Sequence, residues 1–336
     1  MLKLEEFVSQ VARDADEYIA THVTGYPREL YEASLHIIKV GGKRLRPALL
    51  VASGMLFDKQ YYPDLIPYAA SVELMHTFTL IHDDIMDNDD FRRGVPTVHR
   101  LWGVPMAILA GDVLFAKAIE IASEYAIKSG RVSEDRAIRA IFELSKATRI
   151  VAEGQALDMS FEKRDDVSEK EYLDMIYKKT SALIEASAKI GAIVAGADEN
   201  SVDAIGRYAV NLGIAFQIKD DILGVFGREE EIGKPVYSDL RERKKTILVI
   251  LALRKGSEEL KERLLKVLGN RSAEKDEFKA VAEMIDEEGI RQEAELEALK
   301  FVDEALKSLH ELKGKANEDF LELLRQLAVY VVSREK

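Results

Sequence analysis

Apolar residues recur at three- and four-residue spacing along almost the whole chain, and this period predicts helices rather than strands. Breaks such as Tyr26-Pro27 and Gly41-Gly42 divide the pattern, and a loop is expected at Tyr61–Pro67. The main predicted helices are Leu4–Ala20, Ala48–Leu56, Tyr68–Asp90, Trp102–Tyr125 (broken near Gly111-Asp112), Ala137–Asp158, Glu169–Gly196, Thr246–Leu253, Glu258–Leu268 and Glu293–Leu312. The pattern therefore predicts an all-α fold class.

Composition favours one large helical domain. The chain has 336 residues, 47% of them hydrophobic, and only seven prolines. Its length alone would suggest about two domains. However, no Pro-, Gly- or Ser-rich linker and no repeat divides the sequence, so we expect a single domain over residues 1–336. The chain contains no cysteine, which excludes disulfides, thiolate metal sites and cysteine catalysis.

Charge and hydropathy exclude some partners. The net charge of −12 argues against nucleic acid, and it means that an anionic substrate must be held by a local group of basic residues. No apolar run reaches the roughly 18 residues of a membrane span. The N-terminal segment is acidic and amphipathic, unlike a signal peptide. We therefore expect a cytoplasmic protein with no membrane span.

A first acidic cluster lies at the end of the predicted helix 68–90. Asp83, Asp84 and Asp87 form a D-D-x-x-D pattern. Asp83 and Asp87 are four residues apart and share one helix face, where they repel each other unless a cation or a proton lies between them. His76 and Thr79 fall on the same polar stripe. Carboxylate oxygens suit Mg²⁺, although a solvated acidic helix end would give the same pattern.

Basic residues occur in two places that could bind phosphate. Arg92 and Arg93 follow the acidic cluster, and arginine forms strong paired hydrogen bonds with phosphate. Lys43, Arg44 and Arg46 lie at a junction between two helices, where free backbone N–H groups also favour anions. Taken alone, that junction could equally be a solvated basic turn. An acidic cluster that can bind a metal ion, followed by basic residues that can bind phosphate, indicates a site for a metal ion and a diphosphate.

The same order of acid and base returns later in the chain. Gln217 and Asp221 share a helix face, Asp220 lies beside them, and Lys234 and the run Arg241–Lys245 follow. Two such clusters can face each other across a helical bundle, which is a common place for metal sites. Independent solvated surfaces would not be expected to repeat the pattern.

A third group lies between the two acidic clusters. Lys178, Lys179 and Thr180 fall within a largely apolar helix, so a buried lysine there needs a counter-ion. Lys178 could instead extend to the surface. Gln155 and Asp158 are one helical turn apart, and either a substrate cavity or hydrogen bonds between helices would explain them.

Five motifs, in this order, resemble those of the trans-isoprenyl diphosphate synthases, or polyprenyl synthetases: GGKRLRP, DDIMD followed by RRG, KT, FQIKDD and GKP. The resemblance runs from Gly41 to about Thr246 and, more loosely, to both ends. It implies a single large helical bundle around a deep central cavity, in a homodimer or higher homo-oligomer. It also implies head-to-tail joining of an allylic diphosphate to isopentenyl diphosphate, with about two or three Mg²⁺ ions per active site.

The resemblance also implies a role for each site residue. Asp83, Asp87 and Asp220 are expected to bind Mg²⁺, with Asp84 and Asp221 in support. The residues expected to grip the allylic diphosphate are Arg92, Lys179, Lys234 and Lys244. Those expected to hold the diphosphate of isopentenyl diphosphate are Lys43, Arg46, His76 and Arg93. Thr180 and Gln217 are expected beside the C1–O bond, where with Lys179 they form the catalytic group.

Two positions bear on how the chain would differ from other members. Gly224 replaces the last acid of the second D-D-x-x-D pattern, which could weaken one metal position. Phe78 and Thr79, the fifth and fourth residues before Asp83, resemble the arrangement of archaeal geranylgeranyl diphosphate synthases and imply a C20 product. Phe115 is another residue that could close the end of the product cavity and so act as its floor. A C15 or longer product, a class I terpene cyclase and a non-catalytic subunit of a heterodimer are the alternatives.

Overall fold

The computed structural model describes residues 3–227 and 236–333, which are mainly helical, and it confirms the all-α fold class. The helices are α1 (Leu4–His22), α2 (Arg28–Val40), α3 (Leu45–Met55), α4 (Tyr62–Met86), α5 (Val98–Trp102), α6 (Val104–Ser129), α7 (Glu134–Phe161), α8 (Glu169–Ile176), α9 (Ala182–Val194), α10 (Glu199–Phe226), α11 (Ser238–Arg241), α12 (Ile247–Lys255), α13 (Glu258–Val267), α14 (Lys275–Glu287), α15 (Ile290–His310) and α16 (Glu318–Ser333). The strands β1 (Phe91–Arg92) and β2 (Val95–Pro96) form a short antiparallel hairpin. Within the described ranges, no helix combines the length and apolarity needed to cross a membrane.

The described residues fall into two compact units. Unit 1 takes those within Met1–Arg149, Ala182–Ala209 and Leu306–Leu327. Unit 2 takes those within Ile150–Ser181, Val210–Ala305 and Ala328–Lys336. The predicted single domain over residues 1–336 stays a prediction.

In unit 1, the apolar helix α4 lies at the core and packs against α3, α6 and α9. Helices α3 and α9 come into backbone contact because glycine leaves room between them. A Cβ atom at Gly191 on α9 would lie against the carbonyl oxygen of Leu50, and one at Gly54 on α3 would lie against the Gly191 carbonyl and the side chain of Leu65 on α4. This close packing fixes the axis of α4, which carries the first acidic cluster at its C-terminal end.

In unit 2, the apolar core gathers around α8, α10 and α12. Tyr172, Ile218, Leu248 and Phe278 are among its fully buried side chains. Thr246 precedes α12, and its hydroxyl accepts a hydrogen bond from the Val249 N–H group, which caps the helix. The core therefore holds the segments that carry Thr180, Gln217 and Asp221.

The helix that carries the first acidic cluster starts and ends earlier than predicted. The loop expected at Tyr61–Pro67 is wrong, because α4 begins at Tyr62 and continues through Pro67. Pro63 lies in the first turn, where a missing N–H group removes no helical hydrogen bond. At the other end, α4 stops at Met86 instead of continuing to Asp90, and the β1–β2 hairpin follows.

Two further helix predictions need correction. Helix α6 is not broken at Gly111, where a Cβ atom would collide with the imidazole of His82. The glycine therefore allows α4 and α6 to approach closely, and it does not end a helix. The predicted helix 169–196 is interrupted by a π-helical turn, Tyr177–Ser181, and ends at Val194. That turn contains Lys179 and Thr180.

Candidate active site

The first acidic cluster occupies the last turn of α4. The N–H group of Asp87, the residue that ends the helix, donates to the carbonyl of Asp83 at 2.8 Å, so the two residues stand one above the other. Both side chains are partly exposed, and the last turn contains no basic residue. Carboxylates are unfavourable at this negative end of a helix dipole. The cluster is therefore arranged to attract a cation.

Asp84 differs from the other two aspartates because it points into unit 1. Its side chain is 1% exposed, and its Oδ1 atom accepts a hydrogen bond from Arg92 at 2.6 Å. Burial raises the pKa of Asp84, and the Arg92 charge opposes that effect. Among the described residues, no hydrogen bond reaches its Oδ2 atom. The sequence places Asp84 with Asp83 in one motif, whereas the structure gives it a contact that orients Arg92.

The predicted isopentenyl diphosphate residues come together in unit 1. The Arg46 guanidinium lies 3.2 Å from His76 Nε2, and a Cβ atom at Gly42 would lie 2.7 Å from the guanidinium of Arg93. Burial, followed by the charges of Arg46 and Arg93, lowers the pKa of His76 well below its usual value. The imidazole is therefore neutral at pH 7 among positive groups. Lys43 is exposed beside them.

Arg44, between these residues in sequence, has a structural role. Its side chain is 1% exposed and binds Asp16 at 2.9 Å and Glu73 at 2.7 Å. It also donates to the carbonyl of Ile38 at 2.8 Å. The backbone of Arg44 is left-handed, with φ of 46°, which turns its side chain inward while its neighbour Lys43 faces solvent.

Two of the predicted allylic diphosphate lysines meet in unit 2. The Nζ atoms of Lys179 and Lys244 lie 2.6 Å and 3.1 Å from Asp158 Oδ2, and Lys244 also contacts Glu162 at 2.7 Å. Asp158 is 5% exposed. Burial raises its pKa, but the two lysine charges outweigh that effect and lower it. Asp158 is thus the counter-ion that a buried lysine required, although the sequence did not indicate which acid would supply it.

The other two members of the predicted catalytic group are in contact. Thr180 Oγ1 donates to Gln217 Oε1 at 2.7 Å, and Gln217 Nε2 donates to Asp221 Oδ1 at 2.9 Å. The predicted shared face of Gln217 and Asp221 is thereby confirmed. Sequence reasoning missed Tyr172, whose hydroxyl donates to Asp221 Oδ2 at 2.7 Å. Burial raises the pKa of Asp221, whereas hydrogen bonds from Tyr172, Gln217 and the Ile247 N–H group favour its charged carboxylate form.

The remaining members of the second cluster lie near the end of α10. Asp220 is partly exposed. A Cβ atom at Gly224 would lie 2.8 Å from Asp239 Oδ2, so the position of the missing acid is next to another carboxylate. The predicted phosphate-binding residue Lys234 lies outside the described residues.

The carboxylates suit a metal that shares its ligands with a substrate. In residues 3–227 and 236–333, no group of three or more Asp, Glu or His side chains is arranged to hold a metal ion by itself. Mg²⁺ fits such a donor set, because it keeps several waters and is bound by one or two carboxylates together with substrate phosphates. The partly exposed pair Asp83 and Asp87 meets that requirement.

The protein is helical, with carboxylates that suit a metal ion shared with a substrate and with lysines and arginines that suit phosphate. These features are typical of enzymes that bind diphosphate substrates. Residues 27–285 match the model of the polyprenyl synthetase family, and the chain belongs to that family.

Three relatives show how similar the chain is to other proteins of this kind. The geranylgeranyl diphosphate synthase of Sulfolobus acidocaldarius is 43% identical over the full length of both chains. The geranylfarnesyl diphosphate synthase of Aeropyrum pernix is 44% identical over 96% of this chain and 99% of its own. A crystal structure of geranylgeranyl pyrophosphate synthase from Corynebacterium glutamicum, complexed with isoprenyl diphosphate and magnesium, is 28% identical. It aligns with a TM-score of 0.88 over 99% of this chain and 100% of its own.

Proposed function

We propose that this chain is a trans-prenyltransferase that joins allylic diphosphates to isopentenyl diphosphate head to tail and forms geranylgeranyl diphosphate. The observation that carries the proposal is the pair of lysines, Lys179 and Lys244, held on Asp158 in a polyprenyl synthetase. Asp158 holds two lysine ammonium groups close together, and this preformed pair of cationic donors suits a diphosphate leaving group.

Mg²⁺ is the cofactor of the proposed reaction. Asp83 and Asp87 would hold it together with the oxygens of the allylic diphosphate, and Asp220 would hold a further ion, for about two or three in all. When bound, Mg²⁺ neutralises charge on the departing diphosphate. Asp84, which is buried against Arg92, supports the site by orienting that arginine.

Side chains of this protein would also promote ionisation of the allylic diphosphate. Lys179, Lys244, Arg92 and Lys234 bind the allylic diphosphate and stabilise the negative charge that develops as the C1–O bond breaks. The Gln217 carbonyl oxygen and the Thr180 hydroxyl carry partial negative charge and stabilise the allylic cation. The alkene of isopentenyl diphosphate attacks this cation, and loss of a proton to the released diphosphate completes the step.

The second substrate would be held by unit 1 residues that bind anions. Lys43, Arg46 and Arg93 are cationic, and the neutral His76 can donate one N–H to a diphosphate oxygen without adding charge. A class I terpene cyclase would not need this group. Its presence favours a synthase, and a requirement for isopentenyl diphosphate separates the two.

Product length would be limited by an aromatic pair. The rings of Phe78 on α4 and Phe115 on α6 lie 5.5 Å apart, centre to centre. Phe78 packs against α6, and Phe115 supports it from that side. A growing chain that runs along this side of α4 meets two rings, and we propose that it stops at C20.

Assembly is proposed to be a homodimer formed through α6. Val104, Ile108 and Phe115 recur on α6 at helical spacing and are exposed. A second copy of this chain would bury such a stripe. Ile108→Asp is expected to yield monomers in light scattering, whereas Leu265→Asp, at an exposed apolar residue on α13, is expected to keep the wild-type mass. Equal masses for all three proteins would contradict this interface.

Product analysis tests the function. The purified chain is incubated with Mg²⁺, labelled isopentenyl diphosphate and C5, C10 or C15 allylic diphosphate, and the dephosphorylated products are sized. A series that ends at C20 is expected. A series that ends at C15 or beyond C20 would keep the reaction and refute the product length. No condensation by the chain alone would favour the non-catalytic subunit.

A further inference from the structure

A chain of hydrogen bonds in unit 2 links a buried tyrosine to the predicted catalytic group. Tyr172 OH donates to Asp221 Oδ2, Gln217 Nε2 donates to Asp221 Oδ1, and Thr180 Oγ1 donates to Gln217 Oε1. The three distances are 2.7, 2.9 and 2.7 Å. We call these four residues the side-chain relay.

The inner end of the relay is rigid. Tyr172 is 1% exposed and Asp221 is 4% exposed. The backbone N–H group of Ile247, at the start of α12, also donates to Asp221 Oδ2 at 3.2 Å. Both carboxylate oxygens are thus engaged by protein donors, so rotation of this buried carboxylate would leave buried donors without an acceptor, which is costly.

This carboxylate sets the direction of the Gln217 amide. A carboxylate only accepts hydrogen bonds, so the NH₂ group of Gln217 must face Asp221 and its carbonyl oxygen must face Thr180. A flipped amide would place its oxygen against the Asp221 carboxylate. The polarity at the outer end of the relay is therefore decided at its buried end.

We propose that Tyr172 is a positioning residue, which acts through Asp221 to hold the Gln217 carbonyl and the Thr180 hydroxyl toward the developing allylic cation. The inference rests on the proposed function. It gives Asp221 a positioning role, with Asp220 as the metal ligand of the pair. Preorganised dipoles of this kind stabilise charge only when their direction is fixed before the reaction.

The test compares two buried tyrosines. Tyr172→Phe removes the hydroxyl of the relay. Tyr208→Phe removes the hydroxyl that donates to the Leu324 carbonyl in unit 1, where the side chain is equally buried. Tyr172→Phe is expected to lower kcat about 10- to 100-fold, with the KM of both substrates within about twofold of wild type. Tyr208→Phe is expected to retain the wild-type kcat.

A double-mutant cycle separates the relay from general destabilisation. If Tyr172 acts through Gln217, Tyr172→Phe should lower kcat less than about twofold in a Gln217→Leu background. Independent effects that multiply would overturn the proposal. So would equal kcat values for Tyr172→Phe and Tyr208→Phe, or a changed Mg²⁺ concentration for half-maximal activity in Tyr172→Phe.

A second variant covers the case in which Tyr172→Phe does not fold. Asp221→Asn keeps the size of the side chain but offers an NH₂ group, so Gln217 must turn its oxygen inward and its NH₂ group toward Thr180. A fall in kcat with unchanged KM and unchanged Mg²⁺ dependence is expected, and wild-type kcat would overturn the relay. Absence of condensation by the wild-type chain would instead refute the proposed function.

Discussion

Arg44 and Lys43 are adjacent and both basic, yet the structure predicts opposite consequences when they are replaced. In Arg44→Leu, the carboxylate of Glu73 loses its guanidinium partner at 2.7 Å while it remains buried. Breaking a buried ion pair by removing one partner costs about 3–5 kcal/mol. Lys43→Leu is the matched control, because the exposed Lys43 is expected to change stability by less than about 0.5 kcal/mol.

Urea unfolding followed by circular dichroism measures the difference. For a slope of about 3 kcal/mol/M, Arg44→Leu should lower the midpoint by about 1–2 M, and Lys43→Leu should leave it within about 0.2 M. Steady-state kinetics should show the reverse order. Lys43→Leu should raise the KM for isopentenyl diphosphate, whereas folded Arg44→Leu should retain it.

The free energy of unfolding that Arg44→Leu loses, here called the stability deficit, should depend on pH, which gives an independent check. Burial raises the pKa of Glu73, and the charge of Arg44 partly offsets this effect. Without Arg44 the folded-state pKa rises further above the unfolded value, so the folded state binds more protons than the unfolded state and stability falls as pH rises. The deficit of Arg44→Leu should therefore be larger at pH 8 than at pH 5. A midpoint equal to wild type, or a deficit that grows toward pH 5, would refute the reasoning.

Three other changes test the site. Phe78→Ala should shift the main product beyond C20 on chromatography, whereas Phe142→Ala, at an exposed ring on α7, should not; an unchanged distribution would refute the aromatic floor. Gly224→Asp completes the acidic pattern, but it should lower activity, because the new carboxylate would lie beside that of Asp239, whose Oδ2 atom is 2.8 Å from the new Cβ position, and the two negative charges repel each other. Removal of Mg²⁺ with EDTA should abolish condensation, and added Mg²⁺ should restore it; activity that persists in EDTA would exclude the proposed metal role.

Periodicity in the sequence was enough to predict the fold class, most of the helices and a pair of residues that share a face, but it misplaced the ends of α4 and a break in α6. Gln217 and Asp221 form that pair, since a separation of four residues determines their contact. The same reasoning could have separated Asp84 from Asp83, because Thr77, Ile81 and Asp84 fall at helical spacing on the buried face of α4. The D-D-x-x-D pattern drew attention to shared chemistry instead of direction.

Other features depend on contacts that a linear pattern does not contain. Lys244 reaches Asp158 across 86 residues of sequence. Arg44 turns inward because of a left-handed backbone that its neighbours do not share. The π-helical turn at Tyr177–Ser181 adds a local change of pitch that a short window of periodicity cannot detect. In each case tertiary packing, more than local preference, determines the result.

The π-helical turn is held on two sides by glycine. A Cβ atom at Gly154 on α7 would collide with the backbone of Lys179, and one at Gly213 on α10 would lie 2.6 Å from Ser181 Oγ. Close contacts with the main chain therefore fix Lys179, which is proposed to bind the departing diphosphate. In the same mechanism, the ring of Phe78 on α4 limits the length of the product. Evolution could then alter the length of the lipid by replacing side chains on α4 while the machinery that breaks the C–O bond stays in place.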